Sequence, residues 1–305
     1  MLPCLTRLGK AIAGLATVAL VVTGCGDGTV TDSGSASGKI KVVASTNVWG
    51  SVAQAVGGDA VEVTSILSDP AADPHSYEGK PADTAAIGEA GLVLHNGGGY
   101  DDFFSTSLDA SGTKAARIEA FQVSGKAGEP EANEHVWYDL PTVRKVADLV
   151  AQDLGAIAPD RKELFAGNAK AFGAGIDELI TKVEDAGKAK PGAAVVATEP
   201  VADYLIDLAG LKNATPAEFA EAIEEESDPS IAAVAETTDL ITGKQVVALI
   251  NNAQTEIPAT KQLTLTAAAA GVPVVPVTET LPEGVTGYLD WMSKQVDALA
   301  GALKG

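Results

Sequence analysis

The 305-residue chain is strongly acidic, with 41 Asp and Glu against 21 Lys and Arg and a formal charge of −20. Such a surface excludes electrostatic binding to nucleic acid or to anionic headgroups and favours local enrichment of cations. The only cysteines are Cys4 and Cys25, both near the N-terminus, so any metal held by the body of the chain must be held by nitrogen and oxygen.

Residues 1–24 read as a signal peptide. Arg7 and Lys10 form a short basic region, and the uncharged run from Ala11 to Thr23 is too short for a membrane span. The run ends in Val22-Thr23-Gly24-Cys25, which resembles a bacterial lipobox. In that reading the chain is cleaved before Cys25, and Cys25 carries the lipid that anchors it to the extracytoplasmic face of the cell membrane. Ordinary secretion with an unmodified Cys25 is the alternative. Loss of Arg7 and Lys10 takes the formal charge from −20 to −22. Residues 25–38 are mostly Gly, Ser, Thr, Asp and Ala, a composition that predicts a flexible tether. Roughly 265 residues remain, more than one core usually needs, so two lobes are expected.

From Lys39 onward, apolar runs of strand length alternate with helical patterns, the signature of an α/β protein. Strands are predicted at Lys39–Ser45, Val61–Leu67, Gly91–Asn96, Ala116–Phe121, Ala193–Thr198, Gln245–Asn251 and Val272–Val277. Several are unbroken Val/Leu/Ala runs, as buried parallel strands are. At mid-chain a long helix is predicted from about Asp160, as N-cap, to Gly187. Its apolar positions Phe165, Phe172, Ile176, Leu179 and Val183 fall on one face. The expected organisation is an N-terminal lobe (39–158), a connecting helix (159–188) and a C-terminal lobe (189–305). Thr215-Pro216-Ala217-Glu218 combines a cap, a first-turn proline and a capping-box glutamate. The last helix should pack through Leu289, Met292, Val296, Leu299 and Leu303.

Two of the three histidines sit in acidic, turn-rich loops: His75 in Asp73-Pro74-His75-Ser76-Tyr77-Glu78 and His135 in Glu134-His135-Val136-Trp137-Tyr138-Asp139. Neutral imidazole with carboxylate is the usual donor set for first-row divalent metals. Ligands of open α/β sheets bind beyond the carboxyl ends of strands. His75, His135, Glu199 and Glu279 all lie at or after predicted strand ends, two from each half, so a cleft between lobes could bring them together. Glu199 could instead cap the helix that Pro200 starts, and Glu256 and Glu283 compete with Glu279. His95, closing an apolar strand without an acidic sequence neighbour, reads as structural. Trp49, Trp137 and Trp291 read as packing residues, and the acidic run from Glu224 to Asp228 as a solvated helix end.

Lipobox, Gly/Ser tether, Asp-Pro-His, His-x-Trp-x-Asp, Asn96-Gly97-Gly98-Gly99-Tyr100 and a mid-chain helix occur in that order. Together they resemble the solute-binding lipoproteins of zinc and manganese ABC importers, the TroA/ZnuA-like group, over the whole mature chain. The resemblance implies two α/β lobes joined by one long helix with a metal site in the cleft. It implies His75, His135 and Glu199 as ligands, with Tyr204 at the family's spacing from Glu199. Glu279 stands where the family usually has Asp, one methylene shorter. The implied cargo is Zn²⁺ or Mn²⁺. The implied partners are an ABC permease and its ATPase, with the binding protein a monomer and not an enzyme. Two carboxylates, and a short, histidine-free stretch from Ser124 to Glu134, lean towards manganese. A surface adhesin with a structural metal and a metallohydrolase are the competing functions. Four protein ligands would close the open position that a hydrolytic metal needs.

Overall fold

In this computed structural model, Gly38–Gly305 is described, except for residues 71, 73, 75, 130, 131, 225 and 226. The signal segment, Cys25, the tether and His75 therefore lie outside the described residues.

The apolar runs pair as parallel strands. In the first lobe β1 (Ile40–Thr46), α1 (Asn47–Gly57), β2 (Val61–Leu67), α2 (Pro81–Gly88), β3 (Leu92–His95), α3 (Asp102–Ser111), β4 (Ala116–Glu119) and α4 (Ala120–Ser124) follow one another. The strand order is β2-β1-β3-β4. Then come α5 (Leu140–Ile157) and α6 (Lys162–Gly187). The second lobe comprises β5 (Ala194–Ala197), α7 (Asp203–Leu208), β6 (Lys212–Asn213), α8 (Ala217–Glu224), α9 (Ile231–Thr242), β7 (Leu249–Asn252), α10 (Pro258–Ala270), β8 (Val274–Val277) and α11 (Tyr288–Lys304). Its order is β6-β5-β7-β8, again all parallel. In each sheet the winding reverses beside the first strand, and that reversal opens a crevice at the carboxyl ends.

The long helix belongs to both lobes. Its predicted face, Phe165, Phe172, Ile176, Leu179 and Val183, is buried. On one side Asn168 Nδ2 donates to the Val56 carbonyl of α1 at 2.9 Å, and Arg144 of α5 pairs with Asp177. On the other, Phe172 meets Tyr288 of α11 with ring centroids 5.9 Å apart, and Lys182 pairs with Asp297 at 2.6 Å. One apolar core therefore runs from β1 through α6 to α11. Among the described residues no helix is long and apolar enough to cross a membrane.

Several sequence expectations are corrected at element ends. Asp160 does not cap α6. It lies in a 3₁₀ turn, Pro159–Arg161, and the cap position is Arg161, with no side-chain bond. The run Ala116–Phe121 is strand only to Glu119, because Ala120 and Phe121 begin α4; a short apolar run does not by itself separate strand from helix. β7 begins at Leu249 rather than Gln245, since the chain is still leaving α9 through Lys244 at φ 52°. The Thr215 hydroxyl is bonded to both the amide and the carbonyl of Ala197, so it ties the entry of α8 to β5.

Gly187 does end α6, for a reason the sequence hid. It is not left-handed; a Cβ there would stand 1.7 Å from the Ala209 carbonyl oxygen. The helix end thus presses on the loop after α7. Gly187→Ala is expected to force the two backbones apart at a cost of about 1–3 kcal/mol or more. Thermal denaturation should show a midpoint lowered by several degrees, whereas Gly192→Ala, in open space, serves as the strained-turn comparison.

Candidate metal centre

Two carboxylates are gathered by one amide at the carboxyl edge of the second sheet. β5, β7 and β8 are neighbours there, and their ends deliver Glu199, Asn252 and Glu279. Asn252 Nδ2 donates to Glu199 Oε2 at 2.6 Å and to Glu279 Oε1 at 2.8 Å, which sets the two acids side by side. The amide's orientation follows from its other end, where Oδ1 accepts from the Gln254 backbone at 3.1 Å. The Thr255 hydroxyl holds Glu199 Oε1. Glu199 does occupy the cap position of a 3₁₀ turn, Pro200–Ala202, but makes no cap bond; its side chain turns to Asn252 and Thr255 instead. Glu279 is 3% exposed, whereas Glu283 faces solvent and Glu256 lies 3.8 Å from Lys261. Gln254 Oε1 accepts from the Glu279 and Thr280 amides at 3.1 and 3.2 Å, while its Nε2 donates to the Ala72 carbonyl of the first lobe at 3.2 Å.

His135 enters from the other side. It precedes a 3₁₀ turn, Val136–Tyr138, and is 1% exposed, with its ring 6.0 Å from Tyr100 and 5.0 Å from Trp137. Its Nδ1 stands 2.7 Å from Asn133 Oδ1. Asn133 Nδ2 donates to the Pro200 carbonyl at 2.7 Å, so Oδ1 must face the imidazole as an acceptor. Nδ1 therefore carries a proton, and Nε2 is the nitrogen turned towards Glu224. The Tyr204 hydroxyl donates to the Asn133 carbonyl at 2.5 Å, and Lys126 lies over the Tyr204 ring at 4.6 Å. Asn96, which follows β3 and precedes the Gly97–Gly99 turn, donates to the Glu134 carbonyl at 2.8 Å and so fixes the loop.

A residue read as a solvated helix end also reaches the centre. Glu224 Oε1 lies 3.6 Å from His135 Nε2, and Glu134, His135 and Glu224 offer donor atoms within 4.8 Å of one another. Burial, together with the charges of Glu134, Glu199 and Glu279, pushes the Glu224 carboxyl up to about 9. Two carboxylates, Glu134 and Glu224, crowd the imidazole, and Glu199 and Glu279 lie near enough to Glu224 to disfavour its charge, the electrostatic profile of a place suited to a cation.

The structure thus sets Glu199 and Glu279 together on Asn252 and His135 beside Glu134 and Glu224, while His75 lies outside the described residues. Sequence reading passed over Asn133, Asn252 and Thr255, and gave Glu224 a cation role only as the alternative to a solvated helix end. Asn252 could have been found, because an Asn-Asn pair closing an apolar strand lies where such sheets bind ligands. His95 does gain an acid. Its Nδ1 is 3.6 Å from Asp101, whose carboxylate also takes the Asn96 and Gly97 amides, and its ring stacks on Phe104 at 5.3 Å. The indole nitrogens of Trp49 and Trp291 bond Asn96 and Thr278, and all three tryptophans are buried.

A carboxylate-rich donor pocket between two parallel α/β lobes, spanned by one stiff helix, is the architecture of a bilobal binding protein. A family model described as ZnuA, zinc-uptake complex component A, periplasmic, matches residues 42–302, and the chain belongs to that family. The manganese-binding lipoprotein MntA of Halalkalibacterium halodurans is 26% identical over 174 residues, 55% of this chain and 56% of the relative. In that alignment the chain spans little more than half of the relative's length. MntA of Bacillus subtilis is 29% identical over 244 residues, covering 77% of this chain and 76% of the relative. The periplasmic zinc-binding protein TroA from Treponema pallidum shares the fold, with a TM-score of 0.71 at 18% identity over 87% of this chain and 99% of that one.

The Glu224 carboxyl carries a pH signature. Its folded value lies above the ordinary one, so the native state holds a proton there that the unfolded chain releases above about pH 4.5. Its stabilising contribution is present below that pH and is lost as pH rises towards 9. In chelator, thermal midpoints are expected to decline across this window, and Glu224→Gln should flatten the decline. Parallel profiles for the two proteins would contradict the assignment.

Proposed function

We propose that this chain is the extracytoplasmic solute-binding lipoprotein of an ABC importer for a divalent transition metal. It would capture Zn²⁺ or Mn²⁺ in the cleft and deliver it to a permease driven by its ATPase. His75, His135, Glu199 and Glu279 are the proposed ligands. Family membership over residues 42–302 supports the class, and the observation that carries the reading is the joint hold of Asn252 on two buried carboxylates at the carboxyl edge of the second sheet. Neutral imidazole and carboxylate oxygen suit both ions; the oxygen share favours Mn²⁺, whereas intrinsic affinity favours Zn²⁺. The manganese names of the two MntA relatives support the first of these.

Residues 1–24 would be removed, Cys25 lipidated, and residues 25–38 would tether a monomeric body to the membrane surface. Lobes 39–158 and 189–305 would close on the ion around the helix at 159–188. Because α6 shares one core with both lobes, closure should be a small adjustment, and the metal-free form should stay folded. That separates a transported ion from a structural one.

Competition calorimetry on the metal-stripped protein is the direct check. One tight equivalent of Mn²⁺ or Zn²⁺ is expected, with unchanged far-UV circular dichroism on removal. His135→Ala should weaken binding by at least about a hundredfold, since loss of a direct ligand exceeds the 10- to 100-fold effect of supporting groups. No binding tighter than micromolar would sink the importer reading. Unfolding on metal removal would turn the ion into a structural one.

A further inference from the structure

We propose that Glu224 is itself a ligand of the captured ion, a fifth donor that makes the centre oxygen-rich and selects for Mn²⁺ over Zn²⁺. This rests on the capture reading above and deepens it. The geometry is that of a shared ion: donors each about 2.0–2.2 Å from one metal stand roughly 3–4 Å apart, and Glu224 Oε1 is 3.6 Å from His135 Nε2. His135 has only Nε2 to offer, because Nδ1 is engaged by Asn133.

Glu224 is delivered to that place by packing. Phe219 and Ile223 of α8 are buried in the apolar cluster of the second lobe, which fixes the helix in rotation and aims its last residue towards the cleft. Beyond α8, the Ser227 amide and hydroxyl both bond the Ala222 carbonyl, at 2.8 and 3.0 Å. A carboxylate at the C-terminal end of a helix opposes the helix dipole, so the position is unfavourable unless a cation meets it. Its side chain is 23% exposed, but Oε1 is buried, and the hydrogen bond the carboxyl makes is with another acid, Glu134. The chain thus places a carboxylate where helix, neighbouring acids and burial all disfavour it, beside a ligand-competent imidazole.

The chemical consequence is coordination number. Glu224 and Glu134 already offer oxygen donors within 4.8 Å of a His135 nitrogen, and with Glu199 and Glu279 as ligands the set would exceed four and be mostly oxygen. Zn²⁺ prefers four in a tetrahedron, whereas Mn²⁺ takes more ligands and prefers oxygen. Glu224 comes from the second lobe and meets a first-lobe histidine, so its bond to the ion would also draw the lobes together.

The test uses the metal-stripped protein with Mn²⁺, Zn²⁺ and Co²⁺ as probes. The variants are Glu224→Gln, Glu224→Asp, which keeps the charge but is one methylene shorter, and Glu221→Gln, a charge-matched control exposed on the same helix. In both Glu224 variants the Mn²⁺ dissociation constant should rise at least about tenfold and the Zn²⁺ constant by clearly less. Their visible Co²⁺ absorption should intensify as coordination falls towards four. Glu221→Gln should leave affinities and spectrum as in the wild type. A Co²⁺ spectrum unchanged in both Glu224 variants overturns the proposal whatever the affinities do, and leaves the capture reading standing. Failure of the wild-type protein to bind any of the three ions overturns both.

Discussion

Asn252 holds two acids together that would otherwise repel. Its single amide nitrogen donates to Glu199 and Glu279 at 2.6 and 2.8 Å, both carboxylates being nearly removed from water. Like charges in a poorly solvated setting are costly, and a neutral amide relieves only part of that cost. The arrangement persists because the backbone around it is overdetermined. Thr198 Oγ1 accepts from the Asn252 amide at 2.9 Å, Thr255 grips Glu199, and Gln254 seats the Glu279 backbone. A pocket assembled against repulsion gains most when a cation arrives, and in the proposed function that gain would drive capture.

The other lobe contributes its nitrogen through a residue that touches both sides. Asn133 fixes the His135 tautomer and bonds Pro200 and Tyr204 of the second lobe. Orientation of the imidazole and contact between the lobes are thus one network rather than two. Further bonds close the same boundary: Asn47 clamps the Leu281 backbone at 3.1 and 2.9 Å, and the Tyr138 hydroxyl reaches the Thr278 carbonyl at 2.8 Å. With α6 embedded in a common core, such bonds can lengthen or shorten without wide hinge opening. Specificity must then come from the donor set more than from large motion.

Much of this was legible from residue pattern alone. β2 spans Val61–Leu67 as its apolar pattern predicts, the α6 stripe faces the core, and Met292, Val296, Leu299 and Leu303 of α11 are buried. Glu199 and Glu279 were singled out because strand ends in open sheets point at ligands, and the structure does set them together on Asn252. What escaped depends on packing in three dimensions. Asn252 is not a ligand type, so only its neighbours across β5 and β8 give it a role. Glu224 reads as solvated until the rotation of α8, set by Phe219 and Ile223, is known. Asn133 acquires meaning only where Pro200, sixty-seven residues away, comes beside it. Strand starts were read too early because the apolar run leading into β7 begins at the end of α9, where Lys244 is at φ 52°, before the chain is extended.

The central claim is that donors from both lobes close on one divalent ion. Anomalous diffraction from crystals of Mn²⁺-loaded protein, recorded across the manganese absorption edge, tests it most directly. A single strong peak within about 2.0–2.4 Å of His135 Nε2 and of Glu199 and Glu279 oxygens is the expected result. A peak bound by only one lobe, or none in the cleft under saturating metal, would contradict it.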